Sequence, residues 1–126
     1  MLIVDSRPIG EFRNMSIPGA FDCPGAELVY RVPDRVPSPE TLVVVNCAGR
    51  TRSIIGAQSL RNAGLPNPVI ALENGTMGWE LAGLELARGR EDSLPTPSFD
   101  GLHRARTLAD DVAARFNIPR IGERII

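Results

Sequence analysis

The stretch Thr41-Leu42-Val43-Val44-Val45-Asn46-Cys47-Ala48-Gly49-Arg50-Thr51-Arg52-Ser53 decides the fold. Its first six residues are rich in β-branched side chains and apolar on both faces. That pattern suits a strand at the centre of a parallel sheet. Residues 47–52 read as a loop. Ser53 then suits the cap of a helix running to about Ala63, with Ile54, Ala57, Leu60 and Ala63 at helical spacing and Gly64 as its stop.

A strand, a cysteine, a short loop and a helix make an anion-binding arrangement. The loop N–H groups can converge on one point, and the helix directs its positive end there. The same field stabilises a thiolate, since a free thiol titrates at roughly 8.5 and such surroundings lower that value. Arg50 and Arg52 add two fixed positive charges, and residues 41–72 contain no Asp or Glu. These features leave two readings of Cys47 open: a reactive thiolate, or a small buried apolar residue.

Outward from this stretch, Leu2-Ile3-Val4 reads as a second buried strand ending at Asp5. Glu11-Phe12-Arg13 begins a helical turn, and Ile17-Pro18-Gly19-Ala20 is a turn. Residues 26–32 are weakly helical, and Pro33, Pro37 and Pro39 mark a surface loop. Val69-Ile70-Ala71-Leu72 is a third strand, Asn74-Gly75 a turn, and Met77 begins a helix around Trp79. Strands alternating with helices predict an α/β domain with a central parallel sheet flanked by helices. Pro95 and Pro97 make residues 90–99 a linker. Leu102, Ala105, Ala109, Val112 and Phe116 then form a helical apolar stripe, and residues 118–126 read as a strand.

The bulk numbers exclude several function classes. The chain has 126 residues and a net charge of −1, with no electrostatic case for nucleic acid. All 14 basic residues are Arg, so neither a Schiff-base lysine nor a phosphate-binding P-loop lysine is available. Cys23 and Cys47 are too few for a zinc cluster, and neither sits in a C-x-x-C pair. No metal or cofactor is expected. The N-terminus lacks the features of a signal peptide, and no apolar run approaches a membrane span. A cytoplasmic protein with two reduced thiols and no membrane contact is the expectation.

The loop Cys47-Ala48-Gly49-Arg50-Thr51-Arg52-Ser53 resembles the active-site loop of rhodanese-type sulfurtransferases, C-x-x-x-x-R-[ST]. Asp5-Ser6-Arg7 resembles the family's D-x-R at the end of an early strand. Glu11-Phe12 with Ile17-Pro18-Gly19-Ala20 resembles E-[FY]…H-I-P-G-A, with Ser16 in place of the His. Asn74-Gly75-Thr76-Met77-Gly78-Trp79 resembles the later G-G…W segment. The likeness covers residues 1–89. It implies a rhodanese-like three-layer domain, with Cys47 as the catalytic nucleophile. Ala48, Gly49, Arg50, Thr51, Arg52 and Ser53 would bind substrate, and Asp5 and Arg7 would brace the loop. It also implies a small anionic sulfur donor, such as thiosulfate, and a thiol or cyanide acceptor.

Two other readings compete. Related phosphatases and arsenate reductases carry a Cys-x5-Arg loop, but here Arg52 stands one position closer to Cys47. Non-catalytic binding members typically lose the Cys, which this chain keeps. Cys23 has no matching family role and reads as a packed thiol. Trp79 reads as core and His103 as an exposed helix residue. In this family a strand and helix precede the D-x-R strand, so the first strand is expected to be missing and a sheet edge open. Residues 90–126 would be the lead-in to a following rhodanese-like domain of a tandem protein. Residues 101–126 would contact such domains or a second copy, or residues 118–126 would fill the open edge.

Overall fold

The computed structural model describes residues 1–117. The three expected strands form as Leu2–Asp5 (β1), Val43–Asn46 (β3) and Val69–Ala71 (β4). A fourth, Phe21–Asp22 (β2), is two residues long and carries no periodic signal. All pair in parallel in the order β2-β1-β3-β4. The helices are Ile9–Asn14 (α1), Leu28–Arg31 (α2), Thr51–Asn62 (α3), Gly75–Leu81 (α4) and Phe99–Arg115 (α5). Short 3-10 turns at Gly25–Glu27 and Val32–Asp34 flank α2. The domain is α/β with a three-layer arrangement, as expected.

Strand alternation separates the two faces of the sheet. Val4, Val43 and Val45 point to a core shared with Leu28, Ala57 and Leu60 from α2 and α3. Ile3 points the other way and packs on Phe12, Ile17 and Ala20, joined by Trp79 of α4. Gly56 lets α3 lie close to the sheet, because a Cβ there would stand 2.6 Å from Leu28 Cδ1 and 3.3 Å from Val45 Cγ1. At the end of α3 the Leu65 N–H donates to the Leu60 carbonyl and the Gly64 N–H to that of Arg61. Gly64, at φ +88°, is the expected stop.

Two sequence expectations need correction. The helix α3 starts at Thr51, with Arg50 at its cap position and no side-chain cap. Ser53 therefore lies inside the first turn. The buried face of α3 is Ser53, Gly56, Ala57 and Leu60, and Ile54 is 53% exposed.

The second correction concerns the linker; at the other side of the sheet, the outer edge of β4 has no paired strand among the described residues. Leu94 is buried in the main core. The Asp22 N–H donates to the Asp92 carbonyl at 2.7 Å, and the Leu94 N–H donates to that of Asp22 at 3.0 Å. A parallel bridge between Asp22 and Ser93 thus covers the outer edge of β2. Upstream, Ser16 and Ala87 exchange backbone bonds, and the Gly89 N–H reaches the Arg13 carbonyl. Residues 87–94 are a strap held on the domain.

Helix α5 is also docked. Ser98 caps it through Gly101, and Asp34 accepts from the Ser98 N–H and hydroxyl, each at 3.0 Å. α5 lies against α2, and Leu102 and Ala105 line a cleft between them with Ala26, Val29 and Tyr30. Ala109 and Phe116 of the expected stripe are exposed. The strand expected over residues 118–126 lies outside the described residues. Among the described residues, no helix is long and apolar enough to cross a membrane.

Asp22 is a buried carboxyl whose Oδ1 has no hydrogen-bond partner among the described residues. Burial, reinforced by the neighbouring Asp5 charge, pushes its pKa up to about 7 despite the opposing Arg7. An acid whose pKa is raised on folding weakens the fold wherever it is ionised in the native state. The penalty is full above pH 7, shrinks from pH 7 towards 4, and vanishes below. Asp22→Asn is therefore expected to stabilise the protein by about 2–4 kcal/mol at pH 8.5. The gain should be near zero at pH 4. Urea unfolding at both pH values checks this, and an equal difference at the two would refute it.

Candidate active site

Cys47 follows β3 directly. Asp5 and Asn46 are register partners, so the carboxyl ends of β1 and β3 lie side by side. The chain places β2 on one side of β1 and β3 on the other. Parallel sheets bind ligands beyond the strand ends at such a reversal. Cys47 is 1% exposed and sits at the base of its loop. Its thiol donates to Ser53 Oγ at 3.3 Å, and the Ser53 hydroxyl donates to the Arg50 carbonyl at 2.9 Å. Turning that hydroxyl would let it donate to a thiolate instead.

The loop is held from behind. The Cys47 carbonyl accepts from the Thr76 N–H at 2.9 Å and from Thr76 Oγ1 at 3.3 Å, and the Ala48 carbonyl accepts from the Met77 N–H at 3.0 Å. Every peptide here is trans, so the N–H groups of Ala48 and Gly49 point away from α4. Among the described residues, the Ala48, Gly49 and Arg50 N–H groups have no backbone acceptor. Those of Thr51, Arg52 and Ser53 lie in the first turn of α3, where helical geometry offers none. With no capping side chain to occupy them, these donors remain available to an anion on Cys47.

A buried polar chain positions this loop. Arg7 donates to Asp5 through its backbone N–H at 3.0 Å, Nε at 2.9 Å and Nη2 at 2.8 Å. Arg7 Nη2 also reaches the Met15 carbonyl at 2.7 Å. The Asn46 amide donates to Asp5 Oδ2 at 3.2 Å and to Thr76 Oγ1 at 3.0 Å. Thr76 then holds the Cys47 carbonyl. A continuous path thus runs from Arg7 to the loop.

The family model described as Rhodanese-like domain matches residues 1–82. The chain belongs to the rhodanese-like domain family. It is similar to the crystal structure of thiosulfate sulfurtransferase from Pseudomonas aeruginosa, at 52% identity and a TM-score of 0.89 over 95% of this chain. The chain spans 23% of the length of that protein. It is also similar to a protein of unknown function from Rhodopseudomonas palustris, described as a possible tyrosine phosphatase. There the identity is 32% and the TM-score 0.58, covering 68% of this chain and 70% of that one. A rhodanese-like domain from Anabaena sp. aligns at 25% identity and a TM-score of 0.63, over 69% of this chain and 86% of its own. No curated protein matches the chain.

In this rhodanese-like domain the predicted site residues divide into two groups. Cys47, Ala48, Gly49, Thr51 and Ser53 come together as the loop and first helical turn. Arg50 is exposed and, among the described residues, its guanidinium has no hydrogen-bond or ion-pair partner. It lines a cleft of about 220 Å³ beside the loop with Ile54, Ala71, Leu72 and Glu73. Arg52 is turned aside: its Nη1 and Nη2 bind the Glu11 carboxylate at 2.8 and 3.0 Å. That bond lowers the Glu11 pKa and raises that of Arg52. The acid-free stretch of sequence therefore does not leave the mouth free of acids.

Asn46, Thr76 and Glu11 were missed as site residues. A polar Asn closing an otherwise apolar buried strand was the available signal for the first. Cys23 is a packed core thiol, and burial pushes its pKa up to about 12. Both cysteines are free. Trp79 is half-buried against the second core and donates to the Glu85 carbonyl. His103 is exposed on α5. A larger cleft of about 480 Å³, lined by Pro33, Pro37, Pro39, Pro66 and Arg104, lies before β3 and β4, at the opposite end of the sheet from Cys47.

Proposed function

We propose that the chain is a sulfurtransferase that carries sulfane sulfur as a persulfide on Cys47. The observation that carries this reading is the set of N–H groups without backbone acceptors around the Cys47 loop, at the head of α3. The Cys47 thiolate attacks the outer sulfur of thiosulfate or of a persulfide. With thiosulfate the S–S bond breaks, sulfite leaves with the bonding pair, and a Cys47 persulfide anion remains. A thiolate or cyanide then attacks the outer persulfide sulfur, taking it as a new persulfide or as thiocyanate and returning the Cys47 thiolate. This is two-step covalent catalysis. The loop N–H groups hold the negative charge on the terminal sulfur, and Arg50 draws the anionic donor to the mouth. Likeness to the Pseudomonas aeruginosa thiosulfate sulfurtransferase supports the choice of donor.

The experiment is intact-mass measurement after incubation with thiosulfate. A gain of one sulfur atom, removed by dithiothreitol and absent in Cys47→Ala, is the expected result. No gain from thiosulfate or any persulfide donor would sink the reading. Turnover of an aryl phosphate with thiosulfate inert would favour a phosphatase instead. Arg52 argues against that outcome, because its guanidinium is already committed to Glu11.

With both thiols free, a reducing compartment, the cytoplasm, is the proposed location. Residues 90–126 are proposed as the lead-in to a following domain of the same type. The exposed side of α5 would meet that domain or a second copy. The greater length of the Pseudomonas aeruginosa relative supports this reading.

A further inference from the structure

Two arginines, Arg50 and Arg52, belong to the Cys47 loop and the first turn of α3, but they are not equivalent in charge. Arg52 makes a two-pronged bond with Glu11, at 2.8 and 3.0 Å, so its charge is cancelled locally. Glu11 comes from α1, far from the loop in sequence and beside it in space. Arg50 has no such partner among the described residues, and the Glu73 carboxylate across its cleft makes no bond to it. The mouth thus presents one uncompensated cation where the loop sequence shows two. A dianionic donor such as thiosulfate must either leave one charge unmatched or displace Glu11 from Arg52.

We propose that Glu11, by neutralising Arg52, makes the site prefer sulfur donors with one negative charge, such as organic persulfides and thiosulfonates, over the thiosulfate dianion. Glu11 touches no reacting atom. It is a specificity-determining residue that acts through Arg52. The inference rests on the persulfide reading of Cys47. The pair is about half exposed, with 45% and 42% of the two side chains open to solvent. Pairs of that kind contribute little to stability, so variants at Glu11 should fold.

The test compares thiosulfate, a dianion, with methanethiosulfonate, a monoanion that presents the same S–S bond to attack. Persulfide formation is followed by intact mass at low ionic strength, on wild type, Glu11→Gln and Glu11→Asp. Freeing Arg52 adds one positive charge at the mouth, an effect of about fivefold per donor charge at a screened protein surface. Glu11→Gln is therefore expected to raise kcat/KM about 25-fold for thiosulfate and about fivefold for methanethiosulfonate. The ratio between the donors should move about fivefold towards thiosulfate, and most of that change should disappear in 0.5 M salt. Glu11→Asp, which keeps the charge, should hold the wild-type ratio. A purely structural role for Glu11 would lower both rates and leave their ratio unchanged. Persulfide formation with an unchanged ratio in Glu11→Gln would overturn this inference and leave the persulfide reading standing. No persulfide from either donor in the wild type would remove both.

Discussion

Replacing Arg7 by alanine is expected to cost the fold about 3–5 kcal/mol. Asp5 is fully buried, and three of the four hydrogen bonds to its carboxylate come from Arg7. The side-chain change removes two of those three and all of the compensating charge. The carboxylate is then left with the backbone N–H of residue 7 and the Asn46 amide. The Met15 carbonyl loses its donor as well. Breaking one side of a buried pair costs far more than the pair contributes, because the remaining ion keeps its desolvation penalty without its partner. Against a typical domain stability of about 5–15 kcal/mol, the variant would be marginal. Urea unfolding at pH 7 measures the loss. Arg7→Lys should recover only part of it, since an ammonium cannot match the two-pronged geometry at both carboxylate oxygens. A loss below about 1 kcal/mol for Arg7→Ala would mean that the brace is unimportant.

Gly75→Ala should be the most damaging change at the site that leaves Cys47 in place. Gly75 has φ +54°, in the left-handed region, directly after Asn74 at φ 60°. That backbone alone costs an alanine about 1–2 kcal/mol. The space is worse than the dihedral. A Cβ would stand 2.1 Å from the Cys47 carbonyl oxygen, and 2.9 Å from both the Cys47 carbonyl carbon and the Gly49 oxygen. All are backbone atoms, so either the loop or the start of α4 must move. Either movement breaks the bonds from Thr76 and Met77 that orient the loop N–H groups. The expected outcome is a loss of at least about 2–3 kcal/mol and a fall of at least about a hundredfold in persulfide formation. Gly49→Ala is the control, with nothing within 4 Å of its Cβ and no positive φ. If Gly49→Ala were equally harmful, close approach at Gly75 would not be the cause.

The parts of the fold legible in sequence are those with a strong local signal. The run Val43-Val44-Val45 announces a central strand because burial on both faces demands apolar, β-branched residues. Gly64 announces a helix end because its left-handed turn suits glycine. What stayed hidden depends on contacts between distant segments. Asn46 meets Thr76, and Arg52 meets Glu11, with no periodicity linking either pair. Leu94 looked like loop because one buried residue among prolines leaves no pattern. The start of α3 was misplaced for a different reason. Ser53 satisfies the usual capping preference, but a side-chain cap would occupy N–H groups that the Cys47 loop leaves open.

The strap over β2 has a consequence for the order in which the domain can complete itself. The outer partner of Asp22 is Ser93, far downstream in the chain. At roughly 5–20 residues per second of synthesis, that partner emerges several seconds after β2. During that interval the nascent sheet carries a bare edge, the feature through which neighbouring chains pair and aggregate. Its two-residue length limits the exposure. Two residues offer another nascent chain too few hydrogen bonds to hold it, so the edge waits for its own downstream segment.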